Sequence, residues 1–119
     1  MSIAGLKIFV LEDEPIIAFA LEDLLVDGGA SPCFATTLAQ AEAMIAERPL
    51  DAAILDVNVH GTTSYGVARS LRERGIPFIF ATGYGASSHE PDLAGTPTVN
   101  KPYDLAAIEE ALALAGRAA

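Results

Sequence analysis

Ala52-Ala53-Ile54-Leu55-Asp56-Val57-Asn58 is a short apolar run that ends on one carboxylate just before His60-Gly61 breaks the pattern. An apolar run of this length bounded by turn residues reads as a buried strand of a parallel sheet, and ligands of such sheets sit at the carboxyl ends of the strands. Asp56 is therefore expected at a functional edge.

The flanking sequence repeats that theme. Leu6 to Leu11 is a near-continuous apolar strand that runs directly into Glu12-Asp13-Glu14-Pro15. Pro15 suits a first helical turn, and Ile17, Leu21, Leu24 and Leu25 form one apolar stripe up to Gly28-Gly29. A second strand fits Ala30 to Ala35. Thr37-Leu38-Ala39-Gln40 has the capping-box pattern for a helix with Leu38, Ala41 and Ile45 on one face, ended by Arg48-Pro49.

Beyond the loop at Gly61, a helix from about Ser64 to Arg74 turns Val67, Ala68 and Leu71 inward, and Gly75 ends it. Pro77-Phe78-Ile79-Phe80-Ala81 is a fourth buried strand leading into Thr82-Gly83-Tyr84-Gly85. The segment Ala86 to Gly95 reads as a short helix interrupted by Pro91. Pro97 to Asn100 is a fifth strand, followed by Lys101-Pro102 and a helix capped by Asp104 with Leu105, Ile108 and Leu112 on one side. Five strands alternating with five helices predict an α/β fold, a five-stranded parallel sheet with helices on both faces.

Composition narrows the function. With 119 residues, one compact domain is expected, with no output domain after it. The formal charge of −9 would repel phosphate backbones and anionic lipid, so no nucleic-acid or membrane partner is expected. The N-terminus carries no signal-peptide pattern, which points to a cytoplasmic protein. Cys33, without partners at metal-ligand spacing, reads as a buried structural thiol.

Collected at the strand ends are Glu12 and Asp13, Asp56, Thr82 and Lys101. Three crowded acids repel one another, and carboxylates are hard oxygen donors suited to Mg2+ with retained waters and phosphate oxygens. A hydroxyl and an ammonium opposite can take the remaining oxygens of a phosphoryl group, and Asp56 is the candidate nucleophile for an aspartyl phosphate.

This set resembles the phospho-acceptor site of two-component response-regulator receiver domains, and the resemblance covers essentially the whole chain. It implies a flavodoxin-like (βα)5 fold with strand order 2-1-3-4-5. Asp13, Asp56 and the backbone carbonyl of Asn58 would bind Mg2+, with Glu12 acting through a coordinated water. Asp56 would accept a phosphoryl group from a histidine kinase or histidine phosphotransfer protein, while Thr82 and Lys101 bind its oxygens. The Lys101-Pro102 bond would be cis. Such a chain would be a monomer or weak dimer that hydrolyses its phosphoaspartate slowly, is no turnover enzyme, and signals to a downstream protein by contact or phosphate relay.

Pro77-Phe78-Ile79-Phe80-Ala81-Thr82-Gly83-Tyr84 also resembles the PFxFATGY signature of single-domain FAT GUY receivers. The chain departs from the general receiver pattern at Thr98, three residues before the lysine, where a switch Tyr or Phe is usual. Tyr84 is the expected substitute for that aromatic, by loop remodelling. Asn58 and Tyr84 stand where receivers tune phosphoaspartate hydrolysis.

The remaining candidates read more plainly. His60 is a solvated loop histidine, and His89, in the interrupted helix with no partner at useful spacing, is assigned no role. Arg69, Arg72 and Arg74 make a solvated face. Tyr65 and Tyr103 are core edge or partner surface, with Tyr103 the better interface residue. Two other functions compete. A haloacid-dehalogenase-like phosphatase would want an acid two residues after the nucleophile, where Asn58 stands. A phosphate-independent interaction module would leave the strand-end set unused. Nucleotide or flavin binding is disfavoured because Glu12-Asp13-Glu14 would repel phosphate.

Overall fold

The structure is a computed structural model that describes residues 2–82, 89–101 and 103–118. In chain order these form β1 (Lys7–Leu11), α1 (Pro15–Asp27), β2 (Ser31–Ala35), α2 (Leu38–Glu47), β3 (Ala52–Asp56), β4 (Asn58–Val59) and β5 (Thr62–Thr63). Then follow α3 (Tyr65–Glu73), β6 (Phe78–Thr82), a 3-10 turn (Pro91–Leu93), β7 (Thr98–Asn100) and α4 (Leu105–Ala118).

The main sheet has the order β2-β1-β3-β6-β7, and every pairing in it is parallel. Counting only its five strands, this is the expected 2-1-3-4-5 order; β4 and β5 form a separate antiparallel hairpin. Alternate residues of each strand feed opposite layers. Ile8, Val10, Ile54 and Ile79 pack with Leu21 and Leu25 of α1 and Ile108 and Leu112 of α4. Phe9, Leu11, Leu55 and Phe80 pack with Ala41 and Ile45 of α2 and Val67, Ala68 and Leu71 of α3. Fully burying each of the larger side chains is worth about 1.5–3 kcal/mol, and these two layers bring all five carboxyl ends to one edge.

Three expectations need correction. The opening strand stops at Asp56 and does not continue through Asn58. The chain leaves the sheet there because His60 (φ 50) and Gly61 (φ 82) form the two centres of a tight hairpin turn between Val59 and Thr62. Where a fifth helix was expected, the described part of 86–95 contains one 3-10 turn, begun by Pro91, which fits a first turn but supplies no N–H to extend the structure. Cys33 is half-buried, because it lies on the edge strand β2.

The side-chain caps of α2 and α4 form where the sequence predicts them, with one variation. Thr37 caps α2 by accepting from the Gln40 N–H at 3.1 Å, but the Gln40 side chain reaches back to the N–H of Thr36 at 2.9 Å, one residue earlier than in the usual box. Asp104 Oδ1 accepts from the Ala106 N–H at 2.8 Å at the start of α4. Among the described residues, no helix is long and apolar enough to cross a membrane.

Candidate functional site

The parallel register delivers the strand-end residues together. β1 ends at Leu11, so Glu12 and Asp13 emerge beside Asp56, the last residue of β3. Thr82 ends β6, and the Lys101 N–H donates to the Thr82 carbonyl at 2.9 Å, which fixes the lysine just past β7. Glu12, Asp56 and Thr82 are buried. Carboxylate oxygens of Glu12, Asp13 and Asp56 lie within 4.8 Å of one another.

Lys101 sits inside this group. Its Nζ is 2.7 Å from Oε1 of Glu12 and 3.2 Å from Oδ2 of Asp56. Burial would lower the lysine pKa, but the two carboxylates outweigh it and raise it. Asp56 is pushed up to about 7, by burial first and by the neighbouring Glu12 next, with Lys101 opposing both. Asp13 behaves differently. Its burial works upward, yet hydrogen bonding, led by the His60 backbone N–H, holds its carboxyl below the usual value.

Two residues enter the site that their sequence context did not announce. His60 was expected to be a solvated loop histidine. Its ring is exposed, but its backbone N–H donates to Oδ2 of Asp13 at 3.0 Å and its Nε2 lies 3.1 Å from the Thr36 carbonyl. The hairpin turn thus braces Asp13. His-Gly between short extended segments was the available signal. Tyr103 is half-buried against the α1/α4 layer, and its hydroxyl donates to Oε1 of Glu12 at 3.4 Å. Burial and then Glu12 raise its pKa. That placement turns the Tyr103 hydroxyl toward the acids and puts the residue at the core edge, one of the two positions expected for it.

The other expected residues divide. Asn58 is exposed on the hairpin, two residues past Asp56. Thr98 is half-buried with its hydroxyl bonded to His89, which corrects the expectation that His89 has no partner. Tyr65 belongs to the core, edge-on to Phe80 at 5.6 Å between centroids. Arg69 pairs with Glu90 and Asp92, and Arg72 pairs with Asp92, so two of the three arginines tie α3 to the 3-10 turn. Gly83 and Tyr84 of the PFxFATGY stretch, and Pro102 of the expected cis bond, lie outside the described residues.

Chemically, the arrangement offers three carboxylates against one ammonium, with a buried hydroxyl-bearing residue on the next strand. That donor set fits a hard divalent cation and the oxygens of a phosphoryl group.

No protein-family profile matches the sequence, and no curated protein does. Solved structures do match. SdrG from Sphingomonas melonis Fr1 is 39% identical, with 97% of this chain and 98% of that one covered and a TM-score of 0.83. The BeF3-activated conformation of SdrG from Pseudomonas melonis Fr1 matches at 39% identity over 95% and 98% of the two chains, with a TM-score of 0.79. The PhyR response regulator REC domain of Erythrobacter litoralis is 25% identical over 94% and 90%, with a TM-score of 0.78.

Proposed function

Because this chain belongs to the receiver domains of response regulators, we propose that it accepts a phosphoryl group from a phosphohistidine onto Asp56 and signals in that form. The observation that carries this reading is the convergence of Glu12, Asp13 and Asp56, with the Lys101 ammonium on two of them. Glu12, Asp13 and Asp56 would hold Mg2+, with the Asn58 carbonyl as a further oxygen. When bound, the metal offsets the repulsion between carboxylate and phosphate and takes up charge on the phosphoryl oxygens.

The protein's own part follows from the geometry. An oxygen of ionised Asp56 attacks phosphorus; its bond to phosphorus forms as the N–P bond of the phosphohistidine breaks, and the electron pair stays on the imidazole. Lys101, already at hydrogen-bonding distance from Oδ2 of Asp56, favours the ionised carboxylate and then follows the negative charge onto a transferred oxygen. Thr82 supplies a hydroxyl to another. Asn58 and Tyr84, two residues beyond Asp56 and Thr82, tune water access to the acyl phosphate. Tyr84 also serves as the switch aromatic that Thr98 does not provide, in keeping with the FAT GUY subtype.

The donor is a protein, a histidine kinase or a histidine phosphotransfer protein. Ile16 and Phe19 of α1 are 84% and 68% exposed, on the helix that follows the acidic loop, and give such a partner an apolar landing there. Output passes to a downstream protein in the cytoplasm, by contact or by relay of the phosphate. Turnover of small phosphate esters is less well supported, since the residue two beyond the nucleophile is an exposed asparagine and supplies no acid.

The test is incubation with Mg2+ and a small phosphodonor, read by intact mass. A base-labile adduct on the wild type and none on Asp56→Asn is the expected result. No adduct on the wild type, or undiminished labelling of the variant, refutes the mechanism, and rapid release of free phosphate from small esters would favour a hydrolase.

A further inference from the structure

A single imidazole joins α3 to β7. His89 Nδ1 lies 3.2 Å from the Tyr65 hydroxyl, and its Nε2 lies 2.9 Å from Oγ1 of Thr98. When the Thr98 hydroxyl donates to the Thr96 carbonyl, 3.3 Å away, it accepts from the ring. A neutral imidazole has one N–H. In that arrangement the ring proton is on Nε2, and Nδ1 accepts from the Tyr65 O–H. The outcome is a one-way chain of donors from Tyr65 through His89 and Thr98 to the Thr96 carbonyl.

The aromatic surroundings hold the ring in place. His89 lies on Phe80 at 4.5 Å between centroids, and Tyr65 meets it edge-on at 5.9 Å. The charged groups nearby are Arg69 on α3 and Glu90 and Asp92 beside His89, and these pair with one another. Burial lowers the imidazole pKa. Protonation would place a second N–H against the Tyr65 hydroxyl, which would have to turn and give up its acceptor.

The same strands serve the acidic site. Phe80 and Thr98 are register partners on β6 and β7, and Thr82 and Asn100 are partners at the end of the same ladder. Lys101 follows Asn100 and bonds back to the Thr82 carbonyl. Any movement of Thr82 and Lys101 toward an occupied Asp56 is therefore exerted two or three residues from the contacts that hold His89.

We propose that His89 is a positioning residue, a tautomer-locked latch that keeps residues 89–93 on α3 and β7 while Asp56 is unmodified and yields when Thr82 and Lys101 close on an occupied site. The coupling rests on the phosphoryl-acceptor reading, whereas the latch stands on its own geometry.

Long-range proton–nitrogen NMR of the two imidazoles in the full chain tests both parts. In the free protein, His89 is expected as the Nε2–H tautomer alone, titrating below free histidine. Thr98→Val should mix the tautomers, and Thr98→Ser, which keeps the hydroxyl, should restore the single one. Two tautomers in the free wild type, or an unchanged ring in Thr98→Val, overturns the latch. With Mg2+ and saturating beryllium fluoride, the ring should lose its tautomer preference. A ring that stays locked while the Asp56 and Thr82 amides shift overturns the coupling alone. Absence of those amide shifts instead overturns the phosphoryl-acceptor reading and the coupling with it.

Discussion

The Lys101 ammonium lies 3.2 Å from Oδ2 of Asp56 but only 2.7 Å from Oε1 of Glu12, so one cation is divided unequally between two buried carboxylates. Asp56, the more distant of the two, keeps its proton up to about pH 7, against 3.8 for a free aspartate. The folded protein thus binds a proton that the unfolded chain has released across that window. Stability from this group is full below the unfolded value and is lost as pH rises through the folded one. Without divalent metal, urea unfolding should show stability falling between about pH 4 and pH 7. Asp56→Asn should remove the fall and be more stable than wild type at neutral pH by on the order of a few kcal/mol. A variant no more stable than wild type at pH 8 in chelator would contradict the argument.

Adding Mg2+ should reverse part of that deficit. A ligand of the folded state at ten times its Kd adds roughly 1.4 kcal/mol, and the midpoint of thermal unfolding should rise with Mg2+ accordingly. Asp13→Asn should abolish the rise while leaving the metal-free protein folded, because the His60 N–H that now donates to Asp13 can donate to the amide oxygen. An undiminished Mg2+ response in Asp13→Asn would remove that carboxylate from the metal site.

The α1 surface gives a prediction that separates docking from chemistry. Burying a phenylalanine is worth about 1.5–3 kcal/mol, so Phe19→Ala should slow transfer from a phosphohistidine protein by roughly tenfold or more. Labelling by a small phosphodonor should be unchanged, since Phe19 is 68% exposed and supports no core packing. Equal losses with both donors would show that the residue acts on Asp56 and not on the partner.

How much of this was legible beforehand depends on the range of the interaction concerned. The convergence of Glu12, Asp13, Asp56, Thr82 and Lys101 could be read because a parallel sheet puts every strand's carboxyl end on one edge, so locating the strands brought these candidates together. The hairpin at Asn58–Thr63 was missed because the apolar pattern through Val59 continues a strand, and only the left-handed backbone at His60 and Gly61 turns it away. His60 meets Asp13 across 47 positions, and His89 meets Tyr65 across 24. Contacts of that kind follow from how layers stack, to which the local pattern around a lone histidine gives no access. Thr98 shows the converse. Its missing aromatic was visible in the sequence, whereas the imidazole bonded to its hydroxyl comes from elsewhere in the chain.

The two margins of the sheet bear on what happens when many copies are crowded together. β2 and β7 are its outer strands. β2 carries Pro32, which offers no N–H to an incoming strand, and β7 is three residues long, too short to template a ladder. Edge-to-edge addition of one molecule's sheet to another's is thereby discouraged at both sides.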